Sequence, residues 1–324
     1  PTPGRRRSPV QTPRTARGTT GARQAARPPS AAPALGLACA GCTTWSPPKV
    51  AEPLAAPLSY CAPFAASAPA IDGDLESGAW AAAPWTEDFV DIEGPRKPRP
   101  AYRTRAKLLW AERYLYVGAE LEEPHVWSTL RVRDQIVFQD NDFEVFIDPD
   151  GDGREYYEVE INAHTTVFDL FLHRSYREGA PAIHEWDVGD GFARSVTVDG
   201  TPDDPRDRDR RWTVRLAIPW SSLVPPRDAR IDALPEGQRD FGDRARGGAA
   251  PRPGDTWRIN FSRVQWRHTH EMLAADGTRT GQVSEGPQPY AKRPGLPENN
   301  WVWTPQWAID MHLPRFWGRV TFAR

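Results

Sequence analysis

From Pro69 onward the apolar residues recur in short runs of period two, and no segment of 12 residues carries a helical period. Period two puts successive side chains on opposite sides of an extended strand, so one face can be buried while the other is solvated. The cleanest case is Trp212–Ile218, where Trp212, Val214, Leu216 and Ile218 face one way and Thr213, Arg215 and Ala217 the other. Arg105–Trp110 and Tyr114–Leu121 read as two strands joined by a tight turn at Ala111, Glu112 and Arg113. Phe143–Asp148 and Tyr156–Asn162 read as a second hairpin, and Thr165–Leu172, Phe192–Val198, Trp257–Val264 and Phe316–Phe322 supply further strands. Many short strands separated by Gly, Pro and Asp clusters predict an all-β fold, a β-sandwich of two antiparallel sheets with long loops.

Three other regions frame this domain. Residues 1–51 contain no Asp or Glu but carry seven Arg, and a short stretch of small and apolar residues, Ala31 to Gly41, leads into Cys42. A basic segment, an apolar segment and Ala40-Gly41 before a cysteine fit an export signal over 1–42 with Cys42 as a lipid-anchored residue. An organelle transit peptide and a disordered leader fit the same composition. Residues 43–68 are rich in Pro and Ala and read as a linker, leaving 69–324 as the folded domain with a long loop insertion at 225–255. The three cysteines, Cys39, Cys42 and Cys61, all precede that domain, so neither a disulfide framework nor a Cys-based zinc site is expected within it. The formal net charge of -2 gives no argument for nucleic acid or for an anionic membrane. No apolar run reaches 18 residues, so any membrane attachment would rest on Cys42. The 14 Trp against 2 Met point to a β-rich core, to flat aromatic platforms, or to both.

If residues 149–155 form the loop of the second hairpin, Glu144 faces Glu160, Phe146 faces Glu158 and Asp142 faces Asn162, all on one face. Directly opposed carboxylates repel, so an arginine, a cation, or a sugar with a proton shared between the acids is expected to compensate them; a solvated acidic face is the plainer reading. Asp148, Asp150 and Asp152 alternate along the loop as calcium ligands do, although a polar turn uses the same residues. Val159 stands where an EF-hand needs its bidentate Glu. His268 and His270 can share a strand face and His312 follows Met311, but no third metal ligand is evident for either pair. The chain lacks Gly-x-Ser-x-Gly, a phosphate-binding loop and His-Glu-x-x-His.

Taken in order, several motifs resemble the family 9 carbohydrate-binding modules. Pro69-Ala-Ile-Asp-Gly-Asp-Leu followed by Trp80 is similar to their opening, and Leu108-Leu-Trp-Ala-Glu-Arg-Tyr-Leu-Tyr-Val to their first central hairpin. Asp140-Asn-Asp-Phe-Glu-Val-Phe-Ile-Asp-Pro-Asp-Gly-Asp-Gly with Tyr156-Tyr-Glu-Val-Glu-Ile-Asn resembles their most recognisable stretch. Ala217-Ile-Pro-Trp-Ser-Ser-Leu, Trp257-Arg-Ile-Asn-Phe-Ser-Arg-Val and Asn300-Trp-Val-Trp-Thr-Pro-Gln complete the set, which is closest in texture to the larger stand-alone bacterial proteins of this type.

The resemblance implies a sandwich that grips a sugar between two aromatic rings. Carried over, the early ring falls on Phe138 and the late one on Trp303, with Trp301 on the same side of its strand. The strand carboxylate that bonds sugar hydroxyls falls on Glu144, and the neighbouring basic position is occupied by Glu160. Asn162 and Arg263 complete the expected hydrogen-bonding set. The resemblance also implies structural calcium and no organic cofactor. The expectation is therefore a secreted or lipid-anchored, non-catalytic binder of a mono-, oligo- or polysaccharide, serving polysaccharide catabolism. A glycoside hydrolase or lyase using the same acids, and a haem-binding electron-transfer sandwich, are the competing readings.

Overall fold

The computed structural model describes residues 55–179, 182–233, 248–268 and 291–324. The leader with Cys42, His270 and residues 234–247 of the insertion lie outside them. The strands are β1 (Ser59–Ala62), β2 (Val90–Asp91), β3 (Thr104–Trp110), β4 (Tyr114–Glu122), β5 (Asp142–Asp148), β6 (Tyr156–Asn162) and β7 (Val167–Leu172). They continue with β8 (Ala182–Ile183), β9 (Ala193–Asp199), β10 (Arg211–Pro219), β11 (Thr256–Gln265), β12 (Asn299–Val302) and β13 (Gly318–Phe322). Helix is confined, among the described residues, to short 3-10 turns and one α-helical turn, Ala229–Asp232, within the insertion. No helix there is long and apolar enough to cross a membrane.

Two sheets face each other. The larger has nine strands in the order β1-β13-β11-β5-β6-β7-β8, with β12 continuing beside β11 and β2 beside β12. The smaller runs β3-β4-β10-β9. The expected strands all form, with ends shifted by one or two residues. The expectation that 43–68 is a linker needs correction. Residues 59–62 add a strand parallel to β13, and the buried Tyr60 donates its hydroxyl to the Pro84 carbonyl at 2.6 Å. Two apolar side chains of this short strand, Tyr60 and Ala62, are enough to dock it on the core.

Alternation assigns each strand's faces. Phe143, Val145 and Ile147 of β5, with Val159, Ile161 and Phe261, point inward and meet Leu108, Val117, Trp212, Val214 and Leu216 of the small sheet. Trp212 is 1% exposed, as its alternation predicts for a core position. The opposite set of each β5–β7 strand points away from the small sheet. There Phe146, Tyr156, Phe168 and Leu170 pack with Ile92, Met311 and Trp317 from the covering loops into a second apolar cluster. The large sheet is thus buried on both faces, and its outer face carries the acids of the second hairpin.

A covered acidic cleft on the outer face of the large sheet

The hairpin register is the one the loop length predicts: Asp142 pairs with Asn162, Glu144 with Glu160 and Phe146 with Glu158. Strand β11 on the other side aligns Ser262 with Glu144 and Val264 with Asp142. Period two then brings Asp142, Glu144, Glu158 and Glu160 to one face, and the loops before β5 and before β13 close over it. All four carboxylates are at most 5% exposed. Ligand oxygens of Asp142, Glu144 and Glu160 lie within 4.8 Å of one another. The Phe138 backbone N–H donates to Glu160 at 3.0 Å, and that of Val264 donates to Asp142 at 3.2 Å. Glu158 Oε2 and Asp142 Oδ2 accept no hydrogen bond from the described residues.

Burial without a counter-cation disfavours the charged forms. Burial pushes Glu144 up to about 7. It pushes Asp142, Glu158 and Glu160 well above the usual carboxylate range, and their mutual repulsion adds to the effect. His312 moves the other way, down to about 4, because burial disfavours the imidazolium. Its Nδ1 lies 3.1 Å from the Tyr156 hydroxyl and its Nε2 lies 4.0 Å from Glu158.

Glu144, Glu158 and Glu160 line a cleft of about 310 Å³, together with Phe146, Phe168 and Leu170 from the sheet. Loop residues Phe138, Tyr176, His184 and His312 form aromatic walls. Seven large apolar side chains are exposed among the described residues, and four of them, Ile136, Phe138, Tyr176 and Ile309, stand at this one cleft. Such clustering marks binding surfaces, whereas scattered exposed apolar residues do not.

Of the expected site residues, the cleft therefore gathers Phe138, Glu144 and Glu160. The rest need correction. Arg263 and Trp301 are cross-strand partners that point between the sheets. Arg263 is fully buried, paired with Glu123 at 2.8 Å and bonded to Thr104 Oγ1 at 2.9 Å and to the Glu122 carbonyl at 2.8 Å. It fastens β11 to the small sheet, and the Trp301 ring lies 5.1 Å from its guanidinium. Trp303 is 0% exposed, donates its indole N–H to Glu87 at 3.0 Å, and presses on Gly318, where an added Cβ would meet the ring at 2.2 Å. A ring covered on both sides offers no face to a sugar. Asn162 is also fully buried and ties the end of β6 to the segment before β5 through the Leu130 carbonyl and Asp140, at 3.0 and 3.1 Å. Tyr176 and His184 carry no functional signal in the sequence beyond residue type, and His312 stands out there only beside Met311 as a pair of metal-ligand type, because the loops that hold all three meet the sheet only in three dimensions.

The calcium-like loop is separate. Ligand oxygens of Asp148, Asp150 and Asp152 lie within 4.8 Å of one another. Asp148, pushed up to about 8 by burial, accepts the Gly151 and Gly153 N–H groups at 2.9 and 3.0 Å. The donor set of three carboxylates fits a hard cation. His268 is buried edge-on against Trp127, with ring centroids 4.2 Å apart, while His312 lines the acidic cleft.

Residues 71–230 match the model of the carbohydrate family 9 binding domain-like family. Over those residues the chain belongs to that family. A proposed carbohydrate-binding protein from Bacteroides uniformis ATCC 8492 shares its fold, with TM-score 0.54 and 14% identity over 82% of this chain and 100% of that one. A family 9 carbohydrate-binding module from Caldicellulosiruptor kristjanssonii in complex with cellotriose aligns at TM-score 0.43 and 14% identity, over 82% of this chain and 93% of that one. The same organism's module in complex with glucose gives 0.43 and 14%, over 82% and 96%. No curated protein matches the chain.

Proposed function

We propose that this family 9-like chain binds carbohydrate without transforming it, and that the cleft on the outer face of the large sheet is the binding site. The observation that carries the reading is the gathering of exposed apolar side chains at the mouth of a cleft floored by carboxylates. A pyranose presents an apolar C–H face and a rim of hydroxyls; Phe138 and Tyr176 match the first, Glu144, Glu158, Glu160 and Asn300 the second. The volume suits one or two sugar rings, at the lower end of the range for small-ligand sites. Against catalysis stands the placement of the acids. Glu144, Glu158 and Glu160 share one floor on adjacent strands, whereas a glycosidase pair flanks the scissile bond.

Titration of the full chain against a panel of mono- and oligosaccharides tests the reading. Saturable binding that Phe138→Ala weakens supports it. Absence of binding across the panel overturns it, and release of reducing ends from any glycan overturns its non-catalytic part.

Two further parts stand apart from the cleft. The basic, acid-free leader and Ala40-Gly41-Cys42 support export with lipid attachment at Cys42. Cys42→Ala is then expected to move the protein from the membrane to the soluble fraction of a bacterial host, and unchanged fractionation overturns the anchor. The clustered oxygens of Asp148, Asp150 and Asp152 support a structural calcium ion in the β5–β6 turn.

A further inference from the structure

Four carboxylates buried on one sheet face need compensation, because each costs several kcal/mol to desolvate as an ion. In most proteins an arginine or lysine supplies it. Here the cleft has none: among the described residues, the side chains that line it include Glu144, Glu158, Glu160, Glu298 and Asp310 but no Lys or Arg. Asp310 at the rim is paired with Arg177. The nearby Lys292 lies over the Trp266 ring, 3.5 Å from its centroid, outside the lining. Glu123, elsewhere in the same fold, shows the usual solution in its buried pair with Arg263. Among the described residues the cleft floor lacks that solution, and Glu158 Oε2, on a side chain 4% exposed that lines the cleft, accepts no hydrogen bond from any of them. The two imidazoles do not fill the role. His312 lies 4.0 Å from Glu158 and is held neutral by burial, and the His184 ring faces Phe168 at 5.6 Å.

The rings around the acids complete the pattern. Phe138 and Phe168 line the cleft on the β6–β7 side, and Tyr176 stands edge-on to His312 with centroids 4.5 Å apart. Aromatic faces beside unpaired carboxylates form a cation-binding environment, since the ring quadrupole and the acids attract positive charge together. A neutral sugar would satisfy the hydroxyl-binding part of this site and leave the buried acids to be neutralised by protons. A sugar with an ammonium group would supply the missing charge and N–H donors to the unbonded oxygen, and retain the C–H face for the rings.

We infer that, resting on the carbohydrate reading above, the preferred ligand is a sugar bearing a free, protonated amino group, such as a glucosamine unit, whose ammonium sits among Glu144, Glu158 and Glu160. The acids choose the ligand by charge, and Phe138 and Tyr176 hold its ring.

Calorimetric titration of the full chain, at neutral pH and physiological salt, with a β-1,4-linked glucosamine trimer, its N-acetylated counterpart and cellotriose tests this. The amine-bearing trimer is expected to bind about tenfold or more tighter than the other two, the scale of a charge-assisted hydrogen bond. Glu158→Gln and Glu160→Gln, isosteric and verified as folded by thermal melting, are expected to lower that preference to about threefold or less. Phe138→Ala, at an exposed position, is expected to weaken all three sugars alike. Cellotriose binding as tightly as the glucosamine trimer overturns the inference and leaves carbohydrate binding intact. Failure of all three overturns the inference, and the carbohydrate reading falls with it only if the wider panel of mono- and oligosaccharides also fails to bind. Amine-selective binding that survives both glutamine variants places the ammonium elsewhere and also overturns it. Calcium binding that Glu160→Gln abolishes, with no preference for the amine, assigns the acids to a metal ion instead and overturns it as well.

Discussion

Glu144 and Glu160 face each other directly across the β5–β6 ladder, both buried, with a phenylalanine N–H rather than a cationic side chain bonded to Glu160. Cross-strand carboxylates in this position are destabilising when ionised, so the fold holds them at a cost that varies with pH. A carboxyl whose native pKa is raised contributes stability at low pH and loses it as pH rises, because the native state then binds more protons than the unfolded one. For Glu144 the loss begins near 4.5 and is complete above about 7, and for Asp148 it extends past about 8.

His312 opposes this in part. Its pKa is lowered to about 4 from 6.5, so between those values the unfolded chain binds the extra proton and stability rises with pH. The two effects compete below pH 6.5, and only the carboxylates act above it. The melting temperature is therefore expected to fall between about pH 6.5 and 8.5, by roughly 5–10 °C, since 1 kcal/mol corresponds to about 2–4 °C at this size. Glu144→Gln is expected to reduce the part of that fall below about pH 7 and to leave the part above it, which Asp148 carries. Thermal melts across the range decide it, and a melting temperature that rises through this window refutes the assignment.

The buried pair of Arg263 and Glu123 predicts a different asymmetry. Removing one partner strands the other charge in the core, which costs about 3–5 kcal/mol, whereas apolar replacement of both is close to neutral. Arg263→Met alone is expected to be strongly destabilising, and Arg263→Met with Glu123→Leu to recover most of the loss. Denaturant titration of the three proteins checks it. A double variant as unstable as the single one would mean that the bonds from Arg263 to Thr104 and Glu122 matter more than the charge.

The second hairpin was legible in the sequence because Asp, Gly and Pro fix the turn length, and turn length fixes register. Every pair across β5 and β6 followed from it. Alternation also placed Trp301 and Trp303 correctly relative to their neighbours, but periodicity says which residues share a side and not which side is covered. The resemblance then favoured a platform at Trp303, while the adjacent Gly318 leaves room for its ring inside the core. Strand β1 was hidden by the Pro/Ala composition around it, since four residues carry too little pattern to stand out. Apart from Phe138, the walls of the cleft were illegible for another reason: Tyr176, His184 and His312 come from separate loops that only the fold brings together.

Trp303 and Phe138 consequently separate stability from binding. Trp303→Ala removes a fully buried indole and is expected to cost about 3–5 kcal/mol while folded protein still binds sugar normally. Phe138→Ala, at a residue 39% exposed at the cleft, is expected to leave the melting temperature within about 2 °C and to weaken sugar binding roughly 3- to 10-fold, the range for one aromatic contact. Melts and calorimetry on both variants check the pair. A Trp303→Ala protein that melts normally but loses the sugar would return the binding site to the late tryptophan.

The β5–β6 turn yields the last prediction. Asp148 already accepts two backbone N–H groups and is pushed up to about 8, so it holds the turn with or without an ion, whereas Asp150 and Asp152 are exposed. A calcium ion shared by the three would bring down the pKa of Asp148 by opposite charge and stabilise the native state by mass action. At 100 times the dissociation constant the gain is about 2.7 kcal/mol, a rise in melting temperature of roughly 5–10 °C over chelated protein. Asp150→Asn with Asp152→Asn is expected to abolish that rise without unfolding the turn, because the Asp148 bonds to Gly151 and Gly153 remain. Calcium would also flatten the alkaline part of the pH dependence, since Asp148 would be ionised throughout, while the fall due to Glu144 persists. Melting curves that coincide with chelator and with excess calcium, at both pH 6.5 and pH 8, would leave the three aspartates as turn formers alone.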